Sequence, residues 1–465
     1  MNALPLFDLK GKRATVMGLG RFGGGVGAAQ FLAARGALVT VTDLLPESDL
    51  SASLAELRGS NIAGCHLGGH REQDFLDADI VVVNPAVARS NPLLQIAERA
   101  GATLTSEMNL FWQHHRGKIA AVTGSNGKST TTALLYSILK AAGVSCSLGG
   151  NIGKSLLAEV DQLGPDDWAV LELSSFQLDD LNRLPASPHL AVVTNFAPNH
   201  LDWHGSLGDY RRAKQSILRW QTPDCVAVLN ADDRDVASWP VFGRRYEFGL
   251  NDTGAEGVFA TTSGNAISRH CSEEALLPIG RWLKLPGLHN MQNALAATCA
   301  AMAIGASPDA VRQGLEDYEP LRHRLEFVAE VAGRRFYNDS LATTPESTIV
   351  ALDAFTEPIV LLAGGYDKQV DLTAMAEAIS HKAKAVALMG STSEHLADLI
   401  DENPSSRKLP CHECHSLKEA FDWAVAESSA GDVVLLSPGC ASYDWFRNFA
   451  DRGDQFVELV RSWRP

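Results

Sequence analysis

The residues best suited to chemistry lie in a glycine-rich loop at positions 123–129 (TGSNGKS). The loop follows the apolar run IAAV and precedes the helical pattern TTTALLYSIL, so it joins a predicted strand to a predicted helix. Backbone N–H groups of such a loop cradle nucleotide phosphates, while Lys128 supplies a positive charge and the Ser129 hydroxyl can bind Mg²⁺. Val122 replaces the first glycine of the common ATP-binding pattern, which disfavours a generic GTPase or transport ATPase.

A second glycine-rich loop, at positions 18–23 (GLGRFG), also stands between a predicted strand and a predicted helix. Asp43 ends the next predicted strand, as in dinucleotide-binding sequences. The glycines allow a tight turn and a close approach of the backbone to a diphosphate. Three interpretations stay open on these residues alone: a structural turn, a site for NAD or FAD, and a site for another nucleotide diphosphate.

The composition limits the partners and compartments that the chain suits. Lys and Arg total 40 against 55 Asp and Glu, and the net charge of −15 disfavours nucleic acid bound on a general basic surface. Anionic ligands must therefore be held by local features such as the two loops. We find neither a signal-peptide core nor an apolar run of membrane length, so we expect a cytoplasmic protein without membrane insertion.

The cysteines indicate no special chemistry. Eight cysteines at irregular spacing fit reduced thiols better than a disulfide framework. The segment 411–415 (CHECH) matches the pattern of c-type haem attachment, but that modification needs an exported protein. A zinc ribbon would need a second cysteine pair. We therefore expect an ordinary polar segment between two α/β units.

The elements that must position the loops alternate between short apolar runs and helical patterns. Strands are predicted at 13–19, 37–43, 80–84, 118–124, 168–173, 190–195, 226–230, 359–363, 385–389 and 433–437, and helices at 24–34 and 129–142. This alternation predicts α/β units with doubly wound, parallel sheets. At roughly 150 residues per domain, 465 residues make about three domains, and we place the boundaries near 107 and 321.

Further short motifs follow the 123–129 loop in a fixed order. They are GGNIG at 149–153, ELSSFQL at 172–178, NHLDWHG at 199–205, YRRAK at 210–214, GLHNMQNA at 287–294, HRLE at 323–326, NDS at 338–340 and SPGCAS at 437–442. With these motifs the whole chain resembles the Mur ligases of peptidoglycan synthesis, whose phosphate loop reads T-G-[ST]-N-G-K-[ST]. The motifs at 172–178 and 437–442 look most like those of members that add glutamate to UDP-N-acetylmuramoyl-L-alanine.

The resemblance implies three α/β domains and an ATP-dependent amide ligation. It implies a Rossmann-like domain over residues 1–107, a central P-loop-type ATPase domain with a mostly parallel sheet over 108–321, and a Rossmann-like closing domain over 322–465. Family members transfer the γ-phosphoryl of ATP to a substrate carboxylate, and an amino acid attacks the resulting acyl phosphate. The residues implied to bind ATP are Gly124, Ser125, Asn126, Gly127, Lys128, Ser129, Thr130, Asn290, Asn293, Arg324 and Asp339.

The family's catalytic and metal-binding residues also match positions of this sequence. Ser129 and Glu172 resemble the ligands of one Mg²⁺, and His200 resembles a ligand of a second. Lys214 matches the lysine that reacts with CO₂ and becomes a carbamate ligand. The resemblance therefore implies ATP, two Mg²⁺ ions and a CO₂-derived carbamate as cofactors, with Lys128, Glu172, His200 and Lys214 as catalytic residues.

The two remaining substrate sites follow from the same resemblance. The residues implied to bind the UDP-linked substrate are Gly20, Arg21, Phe22, Gly23, Asp43, Asn84 and Asn151. The residues implied to bind glutamate are Thr343, Lys368, Ser437 and Phe446. We accordingly expect small-molecule substrates, no nucleic-acid partner and a monomer.

Several positions depart from the family pattern near the substrate. Leu341 stands where the family usually has lysine, Thr344 replaces a common asparagine, and Asn199 replaces the usual aspartate. Some relatives use L-glutamate, so this amino acid stays an alternative to D-glutamate. Three other functions fit less well, because each leaves some of the motifs unexplained. They are a folate-polyglutamating ligase, a nicotinamide-dependent oxidoreductase and a non-catalytic ATP-binding switch.

Overall fold

The computed structural model describes residues 8–20, 23–85, 87–153, 155–199, 201–270, 273–320, 322–403 and 409–465, and gives only the backbone of residues 201 and 202. The chain divides into two compact units. The first comprises Met1–Leu283 and Gln292–Tyr318, and the second comprises Lys284–Met291 and Glu319–Pro465. Within the described ranges, no helix has both the length and the apolar character needed to cross a membrane.

The N-terminal part of the first unit is a parallel sheet whose strand order is β3-β2-β1-β4-β5. Its strands are β1 (Arg13–Met17), β2 (Leu38–Asp43), β3 (Ile62–Leu67), β4 (Ile80–Val83) and β5 (Thr103–Thr105). Its helices are α1 (Gly24–Ala34), α2 (Ser51–Glu56), α3 (Glu72–Leu76), α4 (Pro92–Arg99) and α5 (Glu107–His114). The strand order reverses between β1 and β4, and ligands of open α/β sheets bind at the carboxyl ends of strands beside such a reversal.

The rest of the first unit is a larger sheet with the order β14-β13-β12-β11-β10-β9-β6-β8-β7. Its strands are β6 (Lys118–Thr123), β7 (Cys146–Gly150), β8 (Trp168–Glu172), β9 (Leu190–Val193), β10 (Val226–Asn230), β11 (Arg244–Gly249), β12 (Gly257–Ala260), β13 (Ala266–His270) and β14 (Glu273–Leu277). Its helices are α6 (Lys128–Ala141), α7 (Ser175–Leu181), α8 (Leu201–His204), α9 (Leu207–Arg219), α10 (Arg234–Ala237), α11 (Ile279–Trp282), α12 (Leu288–Ala303), whose first four residues belong to the second unit, and α13 (Pro308–Glu316). The strands from β7 to β12 run parallel, whereas β13 and β14 are antiparallel additions that we did not predict.

The second unit contains a sheet with the order β15-β16-β20-β17-β18-β19. Its strands are β15 (Glu326–Val331), β16 (Arg334–Asn338), β17 (Ile359–Gly364), β18 (Ala383–Met389), β19 (Cys411–Glu413) and β20 (Val433–Leu436). Its other helices are α14 (Pro345–Leu352), α15 (Thr373–Lys382), α16 (Ser393–Asp401), α17 (Leu417–Glu427) and α18 (Phe449–Ser462). Only the β15–β16 hairpin is antiparallel among these described strands, and the CHECH segment forms the short edge strand β19 and the turn after it.

One hydrophobic core joins the two sheets of the first unit. It contains buried side chains from α1, α5, β6 and the 3₁₀ turn Leu157–Gln162, among them Phe31, Leu110, Ile119 and Leu157. The N-terminal and central parts therefore form one compact unit although each has its own sheet. The sequence-based boundaries at 107 and 321 stay a prediction.

None of the described cysteines forms a disulfide, and Cys225, Cys299, Cys414 and Cys440 are buried.

Candidate active site

The predicted phosphate loop lies between β6 and α6. Gly124 and Gly127 have φ values of 148° and 79°, which favour glycine. A Cβ on Gly124 would lie 1.9 Å from the Thr194 hydroxyl oxygen, and one on Gly127 would lie 2.2 Å from Asn293 Oδ1. The N-terminus of the 14-residue helix α6 faces this loop, so its free N–H groups can receive an anion.

The loop is held by residues that follow β9. Ser125 N–H donates to the Asn195 carbonyl at 2.9 Å, and Asn126 N–H donates to Asn195 Oδ1 at 2.8 Å. The Thr194 hydroxyl donates to the Asn126 carbonyl at 2.6 Å. The loop conformation is thus fixed by protein contacts, as an electrostatic binding site requires. Motif reasoning missed Asn195, because its role depends on a neighbour that is distant in the sequence.

Glu172 ends β8 at the carboxyl edge of the central sheet. Its side chain is 1% exposed, and Oε1 accepts a hydrogen bond from Asn151 Nδ2 at 2.8 Å. The Asn151 N–H donates to the Glu172 carbonyl at 2.8 Å, so two bonds fix the pair. Glu172 Oε2 is buried and has no hydrogen-bond partner among the described residues. A buried carboxylate oxygen without a partner is costly unless a cation neutralises it, so this site fits Mg²⁺.

Glu172 does not cap the following helix, a role that its position in the sequence also allowed. Ser174 caps α7, because its hydroxyl accepts from Gln177 N–H and the Gln177 side chain accepts from Ser174 N–H. The Glu172 carboxylate is therefore not needed at the helix N-terminus.

Lys214 lies on α9 with only 1% of its surface exposed. Its Nζ donates to the Gly124 carbonyl at 2.7 Å, and Lys128 Nζ donates to the same carbonyl at 3.1 Å. Burial lowers the pKa of Lys214 well below its ordinary value, the Lys128 charge lowers it further, and Glu172 opposes the shift. The neutral amine is thereby favoured, and a neutral buried lysine is a nucleophile.

The structure describes all but one of the other residues predicted to bind ATP or metal. Thr130 is buried in α6, and Ser129 is half-buried in its first turn. Asn293 Oδ1 accepts from the Thr131 hydroxyl at 3.2 Å, which places Asn293 beside α6. Asn290 belongs to the second unit, where its Nδ2 donates to the Pro286 carbonyl at 2.6 Å. His200 lies outside the described residues.

The glycine loop of the N-terminal sheet lies against Asp43 and Asn84. Gly20 N–H donates to Asp43 Oδ2 at 2.9 Å, and Leu45 N–H donates to Oδ1 at 2.9 Å. A Cβ on Gly18, whose φ is 90°, would lie 2.8 Å from the Asn84 Cβ. The Asp43 carboxylate therefore positions the loop, and its contact with a ligand stays a prediction. Arg21 and Phe22 lie outside the described residues, and Gly23 is the N-cap residue of α1 with a φ of 83°.

In the second unit, Asp339 and Ser437 lie side by side at the ends of β16 and β20. The Ser437 hydroxyl donates to Asp339 Oδ2 at 2.7 Å, and Leu325 N–H donates to Oδ1 at 3.1 Å. Burial raises the pKa of Asp339 to about 6, although the Ser437 hydrogen bond and the Arg324 charge lower it. Ser437 is fully buried. Its hydroxyl, which is predicted to bind glutamate, therefore already has Asp339 as a hydrogen-bond partner.

The other predicted glutamate-binding residues are more accessible. Lys368 is exposed with its Nζ 6.0 Å above the Tyr443 ring, Thr343 is half-buried, and Phe446 packs against the core under α18.

Sequence reasoning also missed a structural role for Arg452. This guanidinium is 1% exposed and donates to the Ser340 hydroxyl at 2.9 Å and to the Cys440 carbonyl at 3.1 Å. It thereby ties the NDS motif to the SPGCAS motif.

A cluster of metal-binding side chains is not found among the described residues. Within the part of the chain that the structure describes, no group of three or more His, Cys, Asp or Glu side chains could hold a metal ion. The role of Ser129, Glu172, His200 and Lys214 as metal ligands stays a prediction.

Three family models match the chain in order. Residues 12–106 match the Mur ligase MurD-like N-terminal domain, 122–301 the Mur ligase middle domain, and 323–440 the Mur ligase glutamate ligase domain. The UDP-N-acetylmuramoylalanine–D-glutamate ligase of Acidobacterium capsulatum is 40% identical over 98% of both chains. The ligase of that name from a Roseiflexus species is 40% identical over 98% of this chain and 99% of its own. This chain belongs to the Mur ligase family.

The fold of this Mur ligase also matches a solved structure of a relative. UDP-N-acetylmuramate–alanine ligase MurC from Thermotoga maritima superposes with a TM-score of 0.64 at 20% identity, over 97% of this chain and 99% of that chain. Mur ligases are amide-forming enzymes that use ATP and Mg²⁺, and the phosphate loop, Glu172 and Lys214 all fall within the match to the middle domain.

Proposed function

We propose that this Mur ligase joins D-glutamate to UDP-N-acetylmuramoyl-L-alanine at the expense of ATP, in the synthesis of peptidoglycan precursors. The observation that carries the proposal is the 40% identity, over nearly the whole chain, to ligases of that name. The site supplies the chemical basis, since a phosphate loop, a buried carboxylate and a buried amine meet around Gly124. The cytoplasmic location and the monomeric state belong to the same proposal.

The reaction needs two steps, because a carboxylate is a poor electrophile until it is phosphorylated. In the first, a carboxylate oxygen of the L-alanyl group attacks the γ-phosphorus of ATP, the bond to the β-phosphate oxygen breaks, and ADP leaves. In the second, the amino group of glutamate attacks the acyl carbon, loses a proton, and expels phosphate with one of the original carboxylate oxygens. Phosphoryl transfer depends mostly on positioning and charge, which the loop and Lys128 supply.

The metal ligands in this proposal are Ser129, Glu172, His200 and a carbamate on Lys214. These residues would hold two Mg²⁺ ions, which would supply positive charge to the oxygens of the transferred phosphoryl group. The carbamate forms when the neutral Nζ of Lys214 bonds to the carbon of CO₂ and releases a proton. Support comes from the burial of Lys214 and from the unpartnered Oε2 of Glu172.

The substrates are held by the other predicted residues. The loop at Gly20 to Gly23, with Asp43 and Asn84, binds the UDP part, and Asn151 reaches the acyl end beside Glu172. Thr343, Lys368, Ser437 and Phe446 bind glutamate, while Arg324 and Asp339 act on the nucleotide with Asn290 and Asn293.

Phosphate release by the purified full-length protein tests this function. The protein is supplied with ATP, Mg²⁺ and UDP-N-acetylmuramoyl-L-alanine, and D-glutamate, L-glutamate and other amino acids are compared. Release that depends on D-glutamate is expected. Release that depends on no amino acid would reject the ligase function. A preference for L-glutamate would keep the reaction and identify Leu341 and Thr344 as the residues to examine for the change of substrate.

A further inference from the structure

The first helix of the chain packs tightly on a loop of the central sheet. Helix α1 begins directly after the 18–23 loop, and Gly27 lies one turn inside it. A Cβ on Gly27 would lie 2.6 Å from Ser155 Oγ and 2.8 Å from Ser155 Cβ, so no larger residue fits without a shift. Gly27 is also buried and helical, which leaves close packing as the reason for a glycine at this position.

Ser155 is itself held in place. Its hydroxyl donates to Glu107 Oε1, and Leu157 N–H donates to the same hydroxyl oxygen at 3.3 Å. Glu107 is the first residue of α5, which links the two sheets of the first unit, and burial raises the pKa of this carboxyl group. Gly27, Ser155 and Glu107 therefore form a tight joint between the N-terminal and central sheets.

The joint connects the two ends of the proposed substrate site. On one side, α1 carries the loop that receives the UDP part. On the other, Ser155 stands four residues after Asn151 in the sequence, and Asn151 is bonded twice to Glu172 at the reacting end. A larger residue at Gly27 displaces Ser155 or helix α1, and these belong to the segments that carry the two ends of the proposed site.

We propose that Gly27, Ser155 and Glu107 are positioning residues that set the spacing between the nucleotide loop and the Asn151–Glu172 pair. This inference rests on the proposed function, because it needs a ligand that occupies both ends. UDP-N-acetylmuramoyl-L-alanine spans the two ends and depends on their spacing. UDP alone occupies only the nucleotide loop, so its affinity is insensitive to that spacing.

The test measures the dissociation constants of UDP and of UDP-N-acetylmuramoyl-L-alanine by calorimetry with the full-length protein. Gly27→Ala should weaken the full substrate about tenfold, which is about 1.4 kcal/mol, and change UDP affinity less than about twofold. Gly24→Ala is the matched control, because Gly24 lies on the same helix and a Cβ there meets nothing within 4 Å.

Each remaining outcome decides the inference. Equal weakening of both ligands, or no weakening of either, would overturn it. If Gly27→Ala does not fold, Glu107→Gln tests the same joint without added bulk, and an unchanged ratio of the two dissociation constants would overturn the inference. A wild-type protein that does not bind UDP-N-acetylmuramoyl-L-alanine would instead reject the proposed function.

Discussion

The substitution Glu172→Gln distinguishes two effects of this side chain: the free-energy cost of burying its carboxylate, and its proposed binding of a metal ion. The two side chains have nearly the same shape, so the Asn151 hydrogen bond to Oε1, 2.8 Å in the native protein, can persist. The substitution removes an oxygen, Oε2, that is buried and has no partner among the described residues. Without metal, Glu172→Gln should therefore keep or increase the free energy of unfolding, even though it changes a predicted catalytic residue.

The size of the effect follows from the burial. An unpartnered buried polar group costs about 1–3 kcal/mol, and more when it is charged. The glutamine amide still needs an acceptor, which offsets part of the gain, so we expect an increase of about 0–2 kcal/mol. In a large domain about 2 °C of unfolding temperature corresponds to each kcal/mol, so the midpoint should rise by at most about 4 °C.

The proposed metal binding by Glu172 is tested by measuring thermal unfolding with and without Mg²⁺ and nucleotide. A ligand at one hundred times its dissociation constant stabilises the folded state by about 2.7 kcal/mol. The wild-type protein should gain this stabilisation on addition of Mg²⁺ to a fixed nucleotide concentration, whereas Glu172→Gln should gain much less. A variant that is less stable than wild type without metal, or that gains equally from Mg²⁺, would refute the reasoning.

Three further predictions concern single side chains. Lys214→Ala should lower ligase turnover at least about 100-fold, and short-chain carboxylic acids should partly restore it. Lys140→Ala, at an exposed lysine, is the control. Unaltered turnover in Lys214→Ala would exclude an essential carbamate. Lys368→Ala should raise the KM for glutamate about tenfold and leave the KM for ATP unchanged. Equal changes in both KM values would contradict the assignment of Lys368 to the amino-acid site. Burial raises the pKa of Asp180 to about 6 despite its ion pair with Arg89. Because this carboxyl group loses its proton more easily in the unfolded chain, the free energy of unfolding falls as the pH rises through about 6. The unfolding temperature of Asp180→Asn relative to wild type should therefore be higher at about pH 7.5 than at about pH 5, and a pH-independent difference would contradict this sign.

Local motifs predicted much of the fold and of the site, because they depend on neighbouring residues. The 123–129 loop needs only a strand before it, a helix after it and glycines that adopt positive φ. Glu172 was identified through the resemblance of the ELSSFQL motif, and its place at the end of an apolar run agrees with the end of β8. The helix predicted at 24–34 has the same bounds in the structure, and the strand predicted at 226–230 does too.

Features that depend on distant contacts could not be predicted in the same way. Asn195 fixes the phosphate loop from another strand, and Arg452 joins two motifs that are about 100 residues apart. The sequence also contained no sign that both carboxylate oxygens of Asp43, which we predict to contact the ligand, accept backbone N–H groups of the surrounding loops. The antiparallel strands β13 and β14 were missed because the strongest apolar periodicity belongs to the buried parallel strands.

Oxygen transfer tests the central claim, ligation through an acyl phosphate, most directly. UDP-N-acetylmuramoyl-L-alanine labelled with ¹⁸O in its carboxylate is incubated with the protein, ATP, Mg²⁺ and D-glutamate, and the released phosphate is analysed by mass spectrometry. The account predicts one ¹⁸O atom in each phosphate released, together with a UDP-linked product heavier by one glutamyl residue. Unlabelled phosphate would show that water, and not the substrate carboxylate, receives the γ-phosphoryl group, and would contradict the account.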